Sequence, residues 1–286
     1  AHETYIKNYH EEVNAIIDNA DKLKKYSIFN KAGSFSYANI LQTARDFERV
    51  KNVILPEDEY KGVQAYTTYY YQYFFTMLVM MFVIYDMFAQ RDNGMWSITY
   101  SCANGRIMYA IKQTGVIVVT GAFTHTLIYW STFIAAMLQR GGVRDLVNPV
   151  QTIETFDKFT YPWSKIKYVT VLYLISMVCI VALCITIWGV FVMFRNRVYA
   201  LVTMLIFAAV EQFIYSHIDI HSVWNGLHYI NIINIININA TFSSYRNWGV
   251  GTYVFPVFSV VLFVHIICAG VIGYIAINVS ASMKPY

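Results

Sequence analysis

The sequence has little charge. Of its 286 residues only 13% are charged and 57% are hydrophobic, whereas soluble domains carry about 25% charged residues. This shortage excludes an ordinary soluble domain and indicates a membrane protein. The net charge is a modest +4, and no basic patch alternates with aromatic residues, so we expect no nucleic-acid partner.

Cysteine is scarce, and so are the motifs of soluble enzymes. The four cysteines leave no pair in the polar N-terminal region, so no disulfide framework is expected. An exposed region without disulfides favours a bacterial protein over a eukaryotic secreted one. The phosphate-binding loop Gly-x-x-x-x-Gly-Lys-[Ser/Thr] is also absent. The chain therefore cannot hydrolyse ATP alone, and we do not expect it to be an enzyme.

Long apolar stretches dominate the rest of the chain. Spanning a bilayer takes roughly 20 apolar residues, and backbone groups in lipid must be satisfied within a helix. The sequence therefore predicts an all-α fold, a polytopic membrane helical bundle with a helical insertion outside the membrane. The five predicted spans cover about residues 73–89, 116–138, 169–194, 198–215 and 253–277.

The N-terminal region differs from these stretches. Residues 1–72 are polar, with apolar side chains at helical spacing on both sides of a break at Lys31–Ser36. This pattern predicts a helical domain, followed by a transmembrane domain over 73–286. Pro56 and the acidic residues after it favour a helix start. We expect one helix of about 30 residues to run from Pro56 through the first span.

Basic residues in the short loops predict the orientation. The hairpin at Arg195–Arg197 and the segment between the first two spans are short and basic, whereas the loops 139–168 and 216–252 spread their basic residues over a greater length. Charge density therefore predicts that residues 1–72 are extracellular and that the C-terminus is cytoplasmic. We expect a further span before residue 1, giving six, or alternatively a cleaved signal peptide.

An amphipathic segment, residues 92–106, follows the first span. Met95, Ile98, Thr99 and Cys102 recur at helical spacing and form one apolar face of about two turns. A helix this short is marginal alone, so a partner must hold it. It is either an interfacial helix on lipid headgroups or a docking helix for a cytoplasmic partner.

Polar side chains within the apolar stretches are candidates for a substrate path, because charge in a membrane is costly. Asp86 lies near the inner end of the first span, and Glu211 lies near the outer end of the fourth, beside Gln212. Either acid could instead face water at the membrane boundary. His125 and His265 lie in mid-span, where hydrogen-bonded packing is the alternative to a ligand. The predicted substrate-path residues are Asp86, His125, Glu211 and Gln212.

The loop before the last span carries two unusual patterns. His217, Asp219 and His221 have the spacing of a weak metal-site candidate. The alternatives are a partly solvated polar loop and contact with substrate, so no metal is predicted. Residues 230–239 alternate Ile and Asn. Asparagines three residues apart share a helical face, which predicts either a membrane-lying helix or a polar stripe that contacts substrate.

A series of motifs runs from the first span into the second. The hydrophobic run of the first span ends with Tyr85–Ala89 and is followed by Gln90, by Gly94, by Gly105-Arg106 and by Lys112. This order resembles the membrane subunits, or permeases, of type-2 ABC exporters of Gram-positive bacteria. Their pattern is an apolar or aromatic run, a glutamate, a glycine four residues on, Gly-Arg and a lysine. Here Gln90 stands in place of the glutamate.

Further motifs extend the resemblance over essentially the whole chain, apart from a first span before residue 1. Two resemble the family's extracellular helical insertion, one the entry to its fourth span, and two the external loop before its last span. They are Ser34–Ile40, Thr43–Phe47, Trp163–Lys165, Tyr229–Asn231 and Tyr245–Asn247.

The resemblance implies a membrane-spanning subunit of an ATP-driven transporter in the bacterial plasma membrane. It implies ABC ATPase subunits that hold ATP and Mg²⁺, a second permease subunit (identical or different), surrounding lipids, and no cofactor on this chain. The substrate would be a peptide, an antibiotic or a lipid-like compound, as in antimicrobial peptide resistance. Segment 92–106 would be a coupling helix that docks on the ATPase through Gly94, Met95, Ser97, Ile98, Tyr100, Arg106 and Lys112.

Two other functions remain open on the sequence. Paired histidines on spans can hold haem as axial ligands, and His125 with His217, His221 or His265 would make the chain a membrane redox subunit. In the third hypothesis, the domain formed by residues 1–72 binds an extracellular ligand, and the chain is a sensor or immunity protein.

Overall fold

The computed structural model describes most of the chain, and most of the described residues are helical. The predicted coupling segment falls largely outside the described part. The described residues are 2–26, 31, 33–56, 61–68, 72–92, 105–194, 196–218 and 224–282.

The chain divides into two compact units, each built from three stretches of sequence. The first unit comprises Ala1–Tyr70, Phe133–Tyr173 and Ile238–Val260. The second comprises Tyr71–Thr132, Leu174–Asn237 and Val261–Tyr286. The first unit thus combines the N-terminal region with two later segments of the chain.

Five helices among the described residues are long and apolar enough to cross a membrane. They confirm the sequence's prediction of a largely helical membrane protein, and they follow the five predicted spans in order. We name them span 1 (Tyr73–Arg91), span 2 (Gly105–Arg140), span 3 (Lys165–Met193), span 4 (Arg197–His217) and span 5 (Val257–Ser282).

Spans 1 and 2 differ in regularity and in length. Span 1 lies within the helices Gln72–Met87 and Ala89–Asp92, which a turn at Phe88 separates. Span 2 is one helix of 36 residues, which at 1.5 Å per residue is about 54 Å long. Because the hydrocarbon core of a bilayer is only about 30 Å thick, span 2 is longer than a crossing requires.

The long helix predicted to start at Pro56 is described only in parts. Gly62–Thr68 is helical, and so is Gln72–Met87. Residues 57–60 and 69–71 lie outside the described part of the chain, so the continuity of this helix stays a prediction.

A pair of helices forms the N-terminal part of the first unit. His2–Leu23 and Phe35–Glu48 pack through a small core of Tyr9, Val13, Phe47, Val50 and Leu55. The second helix begins after Ser34, whose hydroxyl accepts a hydrogen bond from the Tyr37 amide at 3.2 Å, as an N-cap does. Both helices lie where the apolar spacing predicts them.

The segment before span 3 is held by a buried ion pair. It contains three short 3₁₀ turns, at Arg144–Val147, Val150–Thr152 and Glu154–Phe156. The Lys165 ammonium lies 2.6 Å from the Asp145 carboxylate, and the two side chains are only 2% and 1% exposed. Such a pair loses much hydration energy, so it is stable only if its geometry and its other hydrogen bonds are good.

Residues 253–256 correct the predicted start of the last span. They form a strand, Tyr253–Pro256, which pairs antiparallel with Asn247–Val250. Alternating Tyr, Val and Phe suit a strand, and Gly251 takes the positive φ of 63° that the turn needs. Span 5 therefore starts at Val257, directly after Pro256.

The Ile–Asn run also differs from its prediction. It forms not one helix but the short helices Asn225–Ile230, Ile233–Ile236 and Ile238–Ser243, so its asparagines do not share a helical face. The Asn231 carboxamide oxygen accepts the Ile233 amide at 2.8 Å. Side-chain bonds of this kind compete with the helix for backbone groups, which explains a break that apolar periodicity does not show.

Small residues let the spans of the second unit approach closely. A Cβ at Gly121 would lie 2.5 Å from the Cys184 sulfur, and one at Gly189 would collide with Ile272. Glycine at these positions therefore permits close packing of span 3 against spans 2 and 5, as small residues do in membrane bundles.

Candidate functional site

A cavity of about 260 Å³ lies in the second unit, among spans 3, 4 and 5 and the short helices of the Ile–Asn run. Thr186, Glu211, His265 and Cys268 are its polar or polarizable lining residues. The other eight lining side chains are aliphatic or aromatic. Binding sites for small molecules have this composition, with apolar walls and a few placed polar groups.

Among the described residues that line the cavity, Glu211 is the one acid. Its carboxylate accepts a hydrogen bond from the Ile232 amide at 3.1 Å. Its backbone carbonyl accepts one from the Asn231 carboxamide at 2.7 Å. These two bonds fasten the Ile–Asn run to span 4 and hold Glu211 half-buried at the cavity wall.

Of the other three polar or polarizable lining residues, Thr186 and His265 direct a proton to the helix backbone. The Thr186 hydroxyl donates to the Ala182 carbonyl at 2.9 Å. His265 Nδ1 lies 2.8 Å from the Val261 carbonyl. Because a carbonyl only accepts, Nδ1 carries the proton, and in the neutral ring the other nitrogen is an acceptor.

The structure separates the four predicted substrate-path residues. Glu211 lines the cavity, whereas Gln212 and Asp86 are exposed. His125 is fully buried away from the cavity lining. Thr186, His265 and Cys268 also line the cavity but were not among the predicted path residues. The sequence marked His265 only as a mid-span histidine, and Thr and Cys are too common in spans to stand out.

His125 belongs to a polar network between spans 1, 2 and 3. Its Nε2 lies 2.8 Å from the Ser176 hydroxyl, and its Nδ1 lies 3.4 Å from the Thr76 hydroxyl. The rings of Tyr73 and Tyr129 flank it. This arrangement joins the three spans and satisfies an imidazole that burial would otherwise penalise.

The predicted coupling residues lie only partly in the described chain. Gly94, Met95, Ser97, Ile98 and Tyr100 fall outside it. Two others are described, near the start of span 2. The Arg106 guanidinium donates to the Ala281 carbonyl at 3.4 Å, and Lys112 is exposed.

Arg91 makes a connection that sequence reasoning did not assign. Its guanidinium donates to the carbonyls of Phe191 at 3.1 Å and Phe194 at 2.7 Å, at the C-terminal end of span 3. Cations suit helix C-termini because the last carbonyls lack intrahelical partners. The basic residue directly after an apolar run was the only signal in the sequence.

Of the three residues of the weak metal-site candidate, the structure describes only His217. Its Nδ1 lies 3.0 Å from the Phe213 carbonyl, and its ring stacks on Phe213 at 4.1 Å between centroids. Asp219 and His221 lie outside the described residues. Among the residues that are described, no three His, Cys, Asp or Glu side chains form a group that could hold a metal.

Comparisons with known proteins add no family: no protein-family model, no curated protein and no solved structure matches the chain. The structure defines a class, a largely helical protein with five helices in its described part that are able to cross a membrane. Support for a function therefore comes from the sequence motifs and from the contacts of the described residues.

Proposed function

We propose that the chain is the membrane-spanning subunit of an ATP-driven ABC exporter. It moves a peptide, an antibiotic or a lipid-like compound, and separate ATPase subunits hold and hydrolyse ATP with Mg²⁺. The five spanning helices, the absence of a phosphate-binding loop and the motif order from Tyr85 to Lys112 support this proposal.

The observation that carries the proposal is the cavity beside Glu211. A transporter needs a space within its membrane-spanning part that can hold its cargo. The cavity is bounded by three spans, is mostly apolar and includes one carboxylate. Ionisable residues within spans are functional candidates because their burial in a membrane is costly.

The contacts of Arg106 suggest how an ATPase would act on this cavity. In the proposal, segment 92–106 docks on the ATPase, and closure of two ATPases displaces it. The displacement enters span 2 at Gly105 and reaches span 5 through the bond between Arg106 and Ala281. Span 5 supplies Val264, His265, Cys268 and Ile272 to the cavity, so its movement would change the cavity's shape.

The arrangement in the cell is part of the same proposal. Residues 1–72 are extracellular and the C-terminus is cytoplasmic, in a bacterial plasma membrane. A second permease subunit, identical or different, completes the transporter. The density of basic residues in the short loops supports this orientation.

The alternative of a haem subunit has less support. Both ring nitrogens of His125 lie within hydrogen-bond distance of hydroxyl groups, those of Ser176 and Thr76. An iron ligand would have to give up one of these contacts. A Soret band in the purified protein would favour haem over transport.

Cross-linking tests the ATPase contact. Ser97→Cys or Tyr100→Cys should cross-link to an ATPase encoded beside this chain, when both are expressed together. Tyr253→Cys is the matched control, because Tyr253 is 70% exposed on the opposite predicted side of the membrane. Cross-linking from Tyr253 but not from Ser97 or Tyr100 would show that the predicted orientation in the membrane is inverted. If none of the three positions cross-links to the ATPase, the proposed partner is wrong.

A further inference from the structure

We propose that the cavity of spans 3, 4 and 5 binds a single-chain amphiphile with a primary ammonium head group, and that Glu211 is its anionic partner. This inference rests on the proposed function for its biological setting. Its physical basis, however, is the cavity alone.

The polar groups of the cavity present acceptors rather than donors. The carboxylate of Glu211 has only acceptor oxygens when ionised. The Thr186 hydroxyl uses its proton on Ala182, and His265 uses its Nδ1 proton on Val261. The Cys268 thiol is at most a weak donor. A ligand that fits these groups must bring its own donors.

The charge of the Glu211 carboxylate determines which hydrogen-bond donor on a ligand binds best. Among the described residues, the Glu211 carboxylate accepts a hydrogen bond from the Ile232 amide and interacts electrostatically with the His265 imidazole on the same cavity wall. No Lys or Arg is among the described lining residues. A negative carboxylate in an apolar wall repels anions and attracts cations strongly, because the local dielectric is low. A primary ammonium combines one positive charge with three N–H donors, and charge-assisted hydrogen bonds are stronger than neutral ones.

The apolar residues that line the cavity determine which ligand tail fits it. Leu183, Ile235, Val264 and Ile272 are among the apolar residues that line the cavity, and they suit an alkyl tail. The volume of about 260 Å³ lies just below the range of about 300–1,000 Å³ for drug-sized ligands. It therefore suits one alkyl chain rather than a diacyl lipid or a folded peptide.

The exposed residues of the cavity lining indicate how a ligand enters it. Phe207 and Ile230 line the cavity and are 43% and 40% exposed. Phe207 belongs to span 4, whose exposed apolar surface suits contact with lipid. An amphiphile dissolved in the membrane therefore reaches the cavity without passing through water.

Photolabelling of the full chain in lipid nanodiscs tests the inference. Three probes share a dodecyl tail that ends in a diazirine, and they carry a primary ammonium, a trimethylammonium or a hydroxyl head group. The ammonium has charge and donors, the trimethylammonium has charge alone, and the hydroxyl has a donor without charge. Labelling is mapped by mass spectrometry to the peptides that contain Leu183 and Ile272.

The expected order of labelling at these peptides is ammonium, then trimethylammonium, then hydroxyl. Glu211→Gln keeps an acceptor for the Ile232 amide but removes the charge, so labelling by the ammonium probe should fall about tenfold, to the level of the hydroxyl probe. Val264→Phe fills the cavity and should reduce labelling by all three probes. Val210→Ala, next to Glu211 but outside the cavity lining, should leave the order unchanged.

Three outcomes would overturn the inference. Equal labelling by all three probes would show a groove that only dissolves alkyl chains. Unchanged ammonium labelling in Glu211→Gln would remove the role of the carboxylate, and unchanged labelling in Val264→Phe would place the ligand elsewhere. If Glu211→Gln does not fold, competition among the three probes on the wild-type chain decides the order.

The experiment needs no ATPase, so it separates the two proposals. Selective labelling by the ammonium probe without an ATPase cross-link at Ser97 would support the proposed ligand and contradict the proposed transporter function. An ATPase cross-link without selective labelling would support the proposed transporter function and contradict the proposed ligand.

Discussion

Asp145 in the first unit is a buried acid and Glu211 in the second is a half-buried one, but their partners differ. The Asp145 carboxylate has the Lys165 ammonium at 2.6 Å and the Asn148 carboxamide at 3.0 Å. The Glu211 carboxylate has the Ile232 amide and a cavity beside it. An acid whose carboxylate oxygens both have close partners is not available to a ligand, and removing it leaves the partner cation buried alone. An acid with one backbone partner and open space is able to bind something else.

Breaking the ion pair should give the largest loss of stability. Asp145→Ala leaves the Lys165 ammonium buried without its counter-ion, and we expect a loss of about 3–5 kcal/mol in the free energy of unfolding. Thermal unfolding in detergent, followed by circular dichroism, measures it. Lys167→Met is the matched control, because Lys167 is exposed on the same helix. Its ammonium lies 5.1 Å from the centre of the Trp163 ring, so the substitution should change stability by no more than about 1 kcal/mol.

The double variant Asp145→Leu with Lys165→Met sharpens this test. Replacing both charges with apolar groups should recover most of the loss, since neither charge is then left buried alone. If the double variant is less stable than Asp145→Ala, the pair contributes net stability and our distinction between the two acids is too simple.

Removing the Glu211 carboxylate should have a smaller and local effect. Glu211→Ala takes away the acceptor of the Ile232 amide, at a cost of about 0.5–1.5 kcal/mol. Hydrogen exchange at residues 231–236 should become faster, by up to about tenfold. Glu211→Gln should exchange nearly as slowly as wild type, because its side-chain oxygen still accepts. Equal exchange in the Ala variant and the wild type would show that this bond does not hold the segment.

Ionisation of Tyr245 has no effect on stability near neutral pH, and it offers a comparison by pH instead. Burial raises its pKa to about 12, and the nearby Asp46 carboxylate also raises it. Its stabilising contribution should be complete below pH 10, the ordinary pKa of tyrosine, and be lost as the pH rises from 10 through 12, because the unfolded state ionises first. The ultraviolet difference titration between wild type and Tyr245→Phe should show one phenol that ionises near pH 12. A step near pH 10 would mean that water reaches this hydroxyl.

The sequence was most informative about the spans. Apolar length predicted the five helices, because length and apolarity are what a bilayer requires of a helix. It failed at residues 253–256, whose Tyr-Val-Phe pattern is as apolar as a span but pairs with Asn247–Val250 as a hairpin. Hydropathy measures apolarity and cannot distinguish a strand from the first turn of a helix.

The candidate site was only partly predictable. Glu211 stands out in the sequence as an acid in an apolar stretch. The cavity around it depends on Thr186 and His265, which come from other spans, and on the Asn231 contact that places the Ile–Asn run against span 4. The bond between Arg106 and Ala281 joins residues 175 positions apart. Contacts of this kind follow from tertiary packing and leave no pattern in the local sequence.

ATP hydrolysis by the assembled complex tests the central claim most directly. The chain and its proposed ATPase partner are placed together in nanodiscs, and the hydrolysis rate is measured with and without dodecylammonium. The account predicts that the amphiphile raises the rate with the wild-type chain and not with Glu211→Gln. A hydrolysis rate that is the same in the presence and absence of this chain would contradict the account.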